Sequence, residues 1–500
     1  MRRLIWPAAV LLVPILPVLP AYAAGEHVIC VDAPVGATCD ESRATIPLAI
    51  SLANSNATDD LILLGAHTYS NGPFTLLPSN GHSVSMQGAG QGATVLTAPA
   101  AGAQNYVSLY TSTISDLTIS METTSSSGDK GLYLAQGATA DHITVEGTGT
   151  SNATGVEMSQ STLRRSSVST SLVTGRGIFS AGGNTVTDTV IVGNQGFDLS
   201  DPGAADVVSR VSVRSDWQGF ATDGGTITID DSVVDLGTSS GSTGLFAGNY
   251  NNGTPPKTIN ADHVTIIGGG SGSKGVWAYA AAPGAKTTSS LTLTNSIVWG
   301  PETPLRVDAG NDGAQGGAST ATIVTSYSDW HGAPVENLGS NGAGGVTSGA
   351  GRLDVAPKLV DAATGDAHLE PGSPVVDKGD PSSAGPSKDR DGATRVADGD
   401  GKGGARRDMG AYELPDTTPP NTRLTSSLPK TATKATVRLS FASEAGATFT
   451  CKLDTAAWKK CRSPWKVSLS FGKHVLSVRA RDTAGNVDPT PAKARIKRVR

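Results

Sequence analysis

The 500-residue chain is poor in charge: Asp, Glu, Lys and Arg make up 17% of it, where soluble domains usually carry roughly a quarter. Aromatic residues are scarce, at 5%, and there are four cysteines. No Cys or His pattern has metal-ligand spacing, which excludes a zinc finger or ribbon. Beyond residue 23 no apolar run approaches the ~20 residues that a membrane-crossing helix needs. Long stretches with a helical period are also missing, which excludes a helical bundle. What is abundant is glycine, 61 residues, or about 12% against a usual 7% or so. With Ser, Thr and Ala filling the gaps, the composition suits a chain that turns sharply many times.

A four-residue rhythm runs down the middle: glycine, apolar, any residue, apolar. It starts at Gly131, Gly155, Gly177, Gly196, Gly219, Gly244 and Gly275, with spacings of 24, 22, 19, 23, 25 and 31 residues. A second short apolar run follows each, as in His142-Ile143-Thr144-Val145 and Ser296-Ile297-Val298-Trp299. Alternation within each run predicts strands. Units of this period cannot bury their apolar side alone and must stack. The expected fold is all-β, with a parallel β-solenoid as its main body.

The first 23 residues form a leader: Arg2 and Arg3, an apolar stretch, then the cleavage pattern Ala21-Tyr22-Ala23. This reads as a secretory signal peptide without lipid anchor or C-terminal sorting tail. An extracellular or cell-surface location follows. Four cysteines allow three pairings. Their placement at opposite ends of the chain favours the local bonds Cys30–Cys39 and Cys451–Cys461, which an exported protein can keep.

Further motifs give boundaries. Thr45-Ile46-Pro47 predicts a short helix through Asn54, with Thr45 as N-cap. Asp60 to Gly65 reads as a buried strand, and Gln87-Gly88-Ala89-Gly90 as a turn. This opening resembles the pectate-lyase-like superfamily of right-handed parallel β-helices, across roughly residues 28–414. The superfamily holds both enzymes and non-enzymes. Leu369 to Asp380, then Asp389-Arg390-Asp391-Gly392 and Arg407 to Leu414, is similar to the choice-of-anchor segment of bacterial surface proteins. The resemblance implies that residues 351–414 close a helix spanning 24–350. Residues 415–420 are a stiff Pro-rich linker. Residues 421–500 alternate as antiparallel strands and look like a bacterial Ig-like module.

Charge divides at that linker. Residues 421–500 hold 17 Lys plus Arg and 4 Asp plus Glu, a net of +13; the rest holds 39 − 17 = 22 basic and 44 − 4 = 40 acidic residues, a net of −18. A domain this basic attracts polyanions such as cell-wall polymer, acidic exopolysaccharide or extracellular DNA, without specific nucleic-acid recognition. The candidate clusters are Lys459, Lys460 and Arg462, and the tail Lys493, Arg495, Lys497, Arg498 and Arg500.

Alternation also assigns faces to the glycine-led strands. Leu132, Val156, Ile178, Phe197, Phe220, Leu245 and Val276 face the core. Tyr133, Glu157, Phe179, Asp198, Ala221, Phe246 and Trp277 face outward. Rings one coil apart suit sugar rings, and the acids can accept from hydroxyls. Tyr133, Glu157, Phe179, Asp198, Phe246 and Trp277 are therefore the glycan-binding candidates, unless loops near Thr238–Thr243 and Tyr250–Lys257 fold over them. A polar column, Asp141, Asp188, Asp231, Asp262 and Asn295, fits left-handed turn positions.

Signatures of catalysis are weak. Asp230-Asp231 pairs two carboxylates, as inverting glycosidases require, but no Gly-His-Gly follows. Lyase-type bases would come from Arg176, Arg210, Arg214 or Lys274. Asp389, Asp391, Asp398 and Asp400 resemble part of a Ca²⁺ loop, but no glutamate sits at its twelfth position; a turn role is favoured and no cofactor is expected. The reading is a secreted, non-catalytic β-helix surface protein that binds polysaccharide or cell-wall polymer. The alternatives are a polysaccharide lyase or glycoside hydrolase, and a rigid adhesin or spacer that recognises protein.

Overall fold

The computed structural model describes residues 26–500, apart from 33–35, 79–80, 98–104, 124–127, 150–151, 172, 251–254, 282–285, 311–318, 383–384 and 403. The leader, residues 1–23, lies outside the described residues. The chain divides into two compact units, Met1–Thr185 and Val186–Arg500. Both are built from coils of a right-handed parallel β-helix, and the second also contains a small antiparallel sandwich. Among the described residues no helix is long and apolar enough to cross a membrane.

In the first unit, His27–Val31, Asp60–Leu64, Val84–Gln87, Thr113–Ser115, Thr139–Asp141 and Thr162–Arg164 stack in parallel. A second stack holds Asn105–Tyr110, Lys130–Ala135, Thr154–Met158 and Arg176–Ser180. The helix Ile46–Ala53 buries Ile46, Ala49, Ile50 and Ala53; Thr45 takes the N-cap position without a side-chain capping bond. Cys30 and Cys39 are bonded, beside Val28, Leu61 and Leu63.

In the second unit each coil adds a strand to three stacks. The first runs Thr226–Asp230, Lys257–Asp262, Thr288–Thr294 and Ser319–Ser326. The second runs Val233–Asp235, Thr265–Ile267 and Ile297–Trp299. The third runs through Thr243–Asn249, Lys274–Ala280 and Thr303–Ala309. Apolar residues line up inside: Ile227, Ile259, Leu291 and Ile323 in one column, Phe220, Leu245, Val276 and Leu305 in another, all fully buried. Phe197 and Phe220 are in register, with ring centroids 5.9 Å apart.

The glycine rhythm has a steric cause. A Cβ on Gly196 would lie 2.2 Å from Val213 Cγ1, and one on Gly219 would lie 2.4 Å from Val234 Cγ1. The carbonyl of the next glycine would be 2.6 Å away in both cases. Any side chain there would push neighbouring strands apart.

Between the first two stacks a single left-handed residue turns each coil: Arg210 (φ 53), Asp231 (φ 47), His263 (φ 54), Asn295 (φ 52) and Tyr327 (φ 45) in the second unit. This corrects the polar column. Asp188, Asp231 and Asn295 hold the left-handed position, but Asp141 and Asp262 end the preceding strand, and His142 and His263 turn instead. The residue after each turn points inward and is often a hydroxyl. Ser232, Ser296 and Ser328 each accept from a backbone N–H one coil away, at 3.1 Å.

Leu353 still stacks in parallel on Asp329; after it, the described residues up to 414 add no strand to the stacks. They run along the flank of the second unit, over the turn column. Arg390 Nε donates to Ser212 Oγ at 3.0 Å, Ala411 N to Thr265 Oγ1 at 2.8 Å, and Gly410 N to Asn295 O at 2.6 Å. Val375, Val376 and Met409 pack against Ile297. These contacts make the segment a lateral strap on the second unit.

In the sandwich, Gly472–Arg481 pairs antiparallel with Thr448–Leu453 and Ala492–Arg498, and Lys459–Cys461 lies at one edge. Thr436–Leu439 pairs with Trp465–Ser468 in a facing sheet. Leu439, Phe441, Leu476, Val478 and Ile496 fill the space between, and Cys451 is bonded to Cys461.

Candidate functional site

Each unit holds some of the residues expected to face outward. In the first unit Tyr133, Glu157 and Phe179 occupy successive coils in register. Lys130 Nζ is 2.7 Å from Glu157 and 5.8 Å from the Tyr133 ring centre. Tyr110 adds a ring 5.7 Å from Tyr133. Burial, then the neighbouring Tyr110, pushes the Tyr133 hydroxyl above its ordinary pKa. Arg176 stacks over Phe179 at 5.2 Å.

In the second unit the column is partly covered. Asp198 is 6% exposed, Ala221 2% and Phe246 4%. Asp198 and Phe246 are therefore corrected: neither offers a free surface. Phe246 is closed over by Trp277, with centroids 5.0 Å apart, and by Tyr250, at 6.1 Å. Gly248 leaves room for this, since a Cβ there would lie 2.5 Å from the Phe246 ring. Tyr250 continues onto Tyr279 at 4.8 Å, and Tyr279 meets Trp277 edge-on at 5.8 Å. Four rings thus form one patch, in which Tyr250 is 47% exposed and Trp277 and Tyr279 are half-buried.

One carboxylate organises the polar edge. Asp308 Oδ2 accepts from the Trp277 indole N–H and from Arg306 Nε, both at 2.6 Å. Its Oδ1 accepts from Asn337 at 2.6 Å and from Arg306 at 3.1 Å. Burial works to raise the Asp308 pKa, but these bonds outweigh it and hold the carboxyl below its ordinary value. Arg306 and Lys274 lie over Trp277 at 5.3 and 5.1 Å, within the reach of cation–π attraction. Burial, then the Arg306 charge, lowers the Lys274 pKa. The patch therefore presents ring faces and two cations around a neutralised carboxylate.

Tyr250, Tyr279, Arg306, Asp308 and Asn337 were absent from the sequence-derived site. Tyr279 was findable, two residues after Trp277 on the same face. Arg306 and Asp308 were not, because Pro304 stands where the rhythm expects glycine.

Of the catalytic candidates, Lys274 and Arg176 lie over Trp277 and Phe179, while Asp230, Asp231, Arg210 and Arg214 are engaged elsewhere. Arg395, fully buried, donates through Nε to Asp231 Oδ1 at 2.9 Å and through Nη2 to Ala411 O at 2.8 Å. Its Nη1 is 3.6 Å from Glu413. Asp230, half-buried, accepts from Ser209. Arg210 pairs with Asp188 at 2.7 Å and Arg214 with Asp235 at 2.5 Å. Of the Ca²⁺ candidates, Asp398 and Asp400 meet Asp377, with one oxygen of each within 4.8 Å of the others. Asp389 and Asp391 do not join them: Asp389 accepts from the backbone of Asp391, Ala393 and Glu413, and Asp391 bonds His368. Asp377 itself accepts from the amides of Asp400 and Arg406, a turn-forming role.

In the sandwich, Lys460, Lys493, Arg495 and Lys497 share one sheet face. Lys459 pairs with Cys451 on the opposite side of the pleat. Arg462 and Arg500 lie beyond the ends of their strands. Arg498 turns away, donating to Leu469 O at 2.6 Å and stacking over Phe471 at 4.1 Å.

No protein-family model matches the chain, and no curated protein matches it. Among solved structures, a crystal structure of pectin methylesterase in complex with hexasaccharide VII is similar at 11% identity. The match covers 70% of this chain and 99% of that one, with a TM-score of 0.25. So faint a likeness carries no argument, and the β-helix rests on the strand registers described above.

Proposed function

We propose that the chain is a secreted, non-catalytic surface protein whose β-helix holds polysaccharide against the patch of Tyr250, Trp277 and Tyr279. The observation that carries this reading is the clustering of these rings on one outward face, with Arg306, Lys274 and Asn337 at its edge. Ring faces stack on the apolar face of a sugar, and the polar edge orients its hydroxyl or acidic groups. Affinity electrophoresis in neutral and acidic polysaccharides tests it. Replacing Tyr250 and Trp277 by Ala should abolish retardation in neutral polysaccharide, with roughly 2 kcal/mol or more lost at such anchors. Unchanged retardation would refute the assignment.

A second reading has one observation in its favour. Lys274 has a lowered pKa and sits on the same face, as a lyase base would. An assay for unsaturated and reducing-end products, at neutral and alkaline pH, separates the two. Turnover that disappears in Lys274→Met would establish a lyase and overturn the non-catalytic reading.

A further inference from the structure

The outer face of the five-stranded sheet in the sandwich concentrates charge of one sign. Along Gly472–Arg481, His474, Leu476, Val478 and Ala480 alternate into the core, so Lys473, Arg479 and Arg481 point the other way; Ser477 shares their face and is buried among its neighbours. Ala494 and Ile496 are buried on Ala492–Arg498, which turns Lys493, Arg495 and Lys497 to that same face. Thr450 is opposite Arg479 and Lys460, and Lys452 is opposite Ser477, which in turn is opposite Lys493. The face thus carries Lys452 and Lys460 as well. None of the four acidic residues of 421–500 sits among these outward positions: Asp454 takes His474 at 2.8 Å, and Asp482 and Asp488 accept from backbone amides in the loop beyond Arg481. Glu444 lies outside the five strands. No cation of this face is in an ion pair among the described residues.

The arrangement has order. Lys460, Lys452, Arg479 and Lys493 stand on four successive strands, one cation per strand, alternating between two neighbouring rows. Adjacent strands are about 4.8 Å apart. Trp458 holds the middle of the series: its ring lies 4.9 Å from Lys452 Nζ and 4.3 Å from the Arg479 guanidinium. Stacking of this kind fixes two flexible cations in advance and lowers the entropy lost on binding.

We infer that this face is the docking surface for a single extended carboxylated glycan, lying across the strands and meeting Lys460, Lys452, Arg479 and Lys493 in turn. An open sheet face crossed at right angles to its strands suits one extended chain. A glycan with one carboxylate on every ring presents its charges at a step close to the interstrand distance. Trp458 is a positioning residue that acts through Lys452 and Arg479. This site is independent of the solenoid patch.

The test uses the full-length chain, with alginate as the probe carrying a carboxylate on every ring, hyaluronan as the probe carrying one on alternate rings, and duplex DNA as competitor. In the variant Lys452→Glu/Arg479→Glu/Lys493→Glu, alginate affinity should fall at least about tenfold, and the salt dependence of binding should lose about three ion equivalents. The charge-matched variant Lys434→Glu/Arg438→Glu/Lys466→Glu, off this face, should stay within about twofold, provided both melt as the parent does. Trp458→Leu should weaken alginate binding while leaving the salt slope unchanged, a split that a merely unfolded domain would not give. Hyaluronan should bind more weakly than alginate. Equal losses in the two triple variants would reduce the site to diffuse attraction and overturn the proposal. So would tighter binding of DNA than of alginate, or no binding of alginate. Every variant is measured in a Tyr250→Ala/Trp277→Ala background, which removes the solenoid patch from the alginate signal, so the two proposals fail separately.

Discussion

At the scale of single residues, the core positions are unforgiving because each inward side chain is stacked on both neighbouring coils. Phe220 is fully buried between Phe197 and Leu245. Phe220→Ala should cost about 3–5 kcal/mol, the usual penalty for a buried aromatic cavity. Urea unfolding of the purified chain measures it, and a loss below about 1 kcal/mol would place the ring outside the core. Gly219→Ala should destabilise by about 1–3 kcal/mol through overpacking alone, because its methyl would meet Val234 and a carbonyl at once. These positions were legible in the sequence, since glycine and alternating aliphatics repeat together. The turn column was legible only in part. A buried Ser or Thr follows the turn at Thr189, Ser232 and Ser296, where Ile143 and Val264 stand in other coils. Counting from the first aliphatic residue therefore shifts the register by one in some coils. The hydroxyls are tolerated inside because each pairs with a backbone group.

At the scale of elements, the strap is the part that sequence reasoning placed least well. Its residues read as turns, and nothing local in them says which coils they lie against. The structure sets Arg395 beside Asp231 and Glu413, with Asp408 close by. One guanidinium cannot neutralise three buried carboxyls. Burial raises the Asp231 pKa from 3.8 to about 7, although Arg395 opposes the shift, and burial raises Asp408 and Glu413 as well. A carboxyl with a raised pKa binds its proton more tightly in the folded chain than in the unfolded one. Between pH 3.8 and about 7 the folded state therefore holds more protons, and stability falls as the pH rises through that window. The melting temperature should be higher at pH 5 than at pH 7.5, and Asp231→Asn should flatten the slope. Arg395→Ala removes the single cation of the group and should cost about 3–5 kcal/mol at neutral pH. Limited proteolysis should then cut within residues 380–414 first.

At the scale of the whole molecule, charge and staples divide by domain. The sandwich is small, and Cys451–Cys461 ties two neighbouring strands of one sheet together beside its core. A bond closing so short a loop is worth about 2–3 kcal/mol in the chain-entropy account, a large share of what an 80-residue domain holds. Reduction should therefore melt the sandwich before the β-helix, visible as a separate first transition in calorimetry. A single transition would show that the bond contributes little. The +13 and −18 halves were plain from composition, yet composition could not say that eight of those cations share a face. That needed the pairing of strands distant in sequence.

Solenoids built only of stacked coils behave as one-dimensional chains of nearest neighbours, and they fray inward from their ends. The strap changes that rule for the coils it touches. Ser212, Asp231, Thr265, Asn295 and Asp329 belong to five coils, and residues 353–411 reach all of them. Opening any one coil there breaks contacts that also hold the others, so these coils should behave as one foldon. Amide hydrogen exchange should report nearly uniform protection across residues 205–330, with a sharp drop at Gly342–Ser348. In Arg395→Ala the same amides should grade smoothly towards the end of the stack, as independent neighbours do.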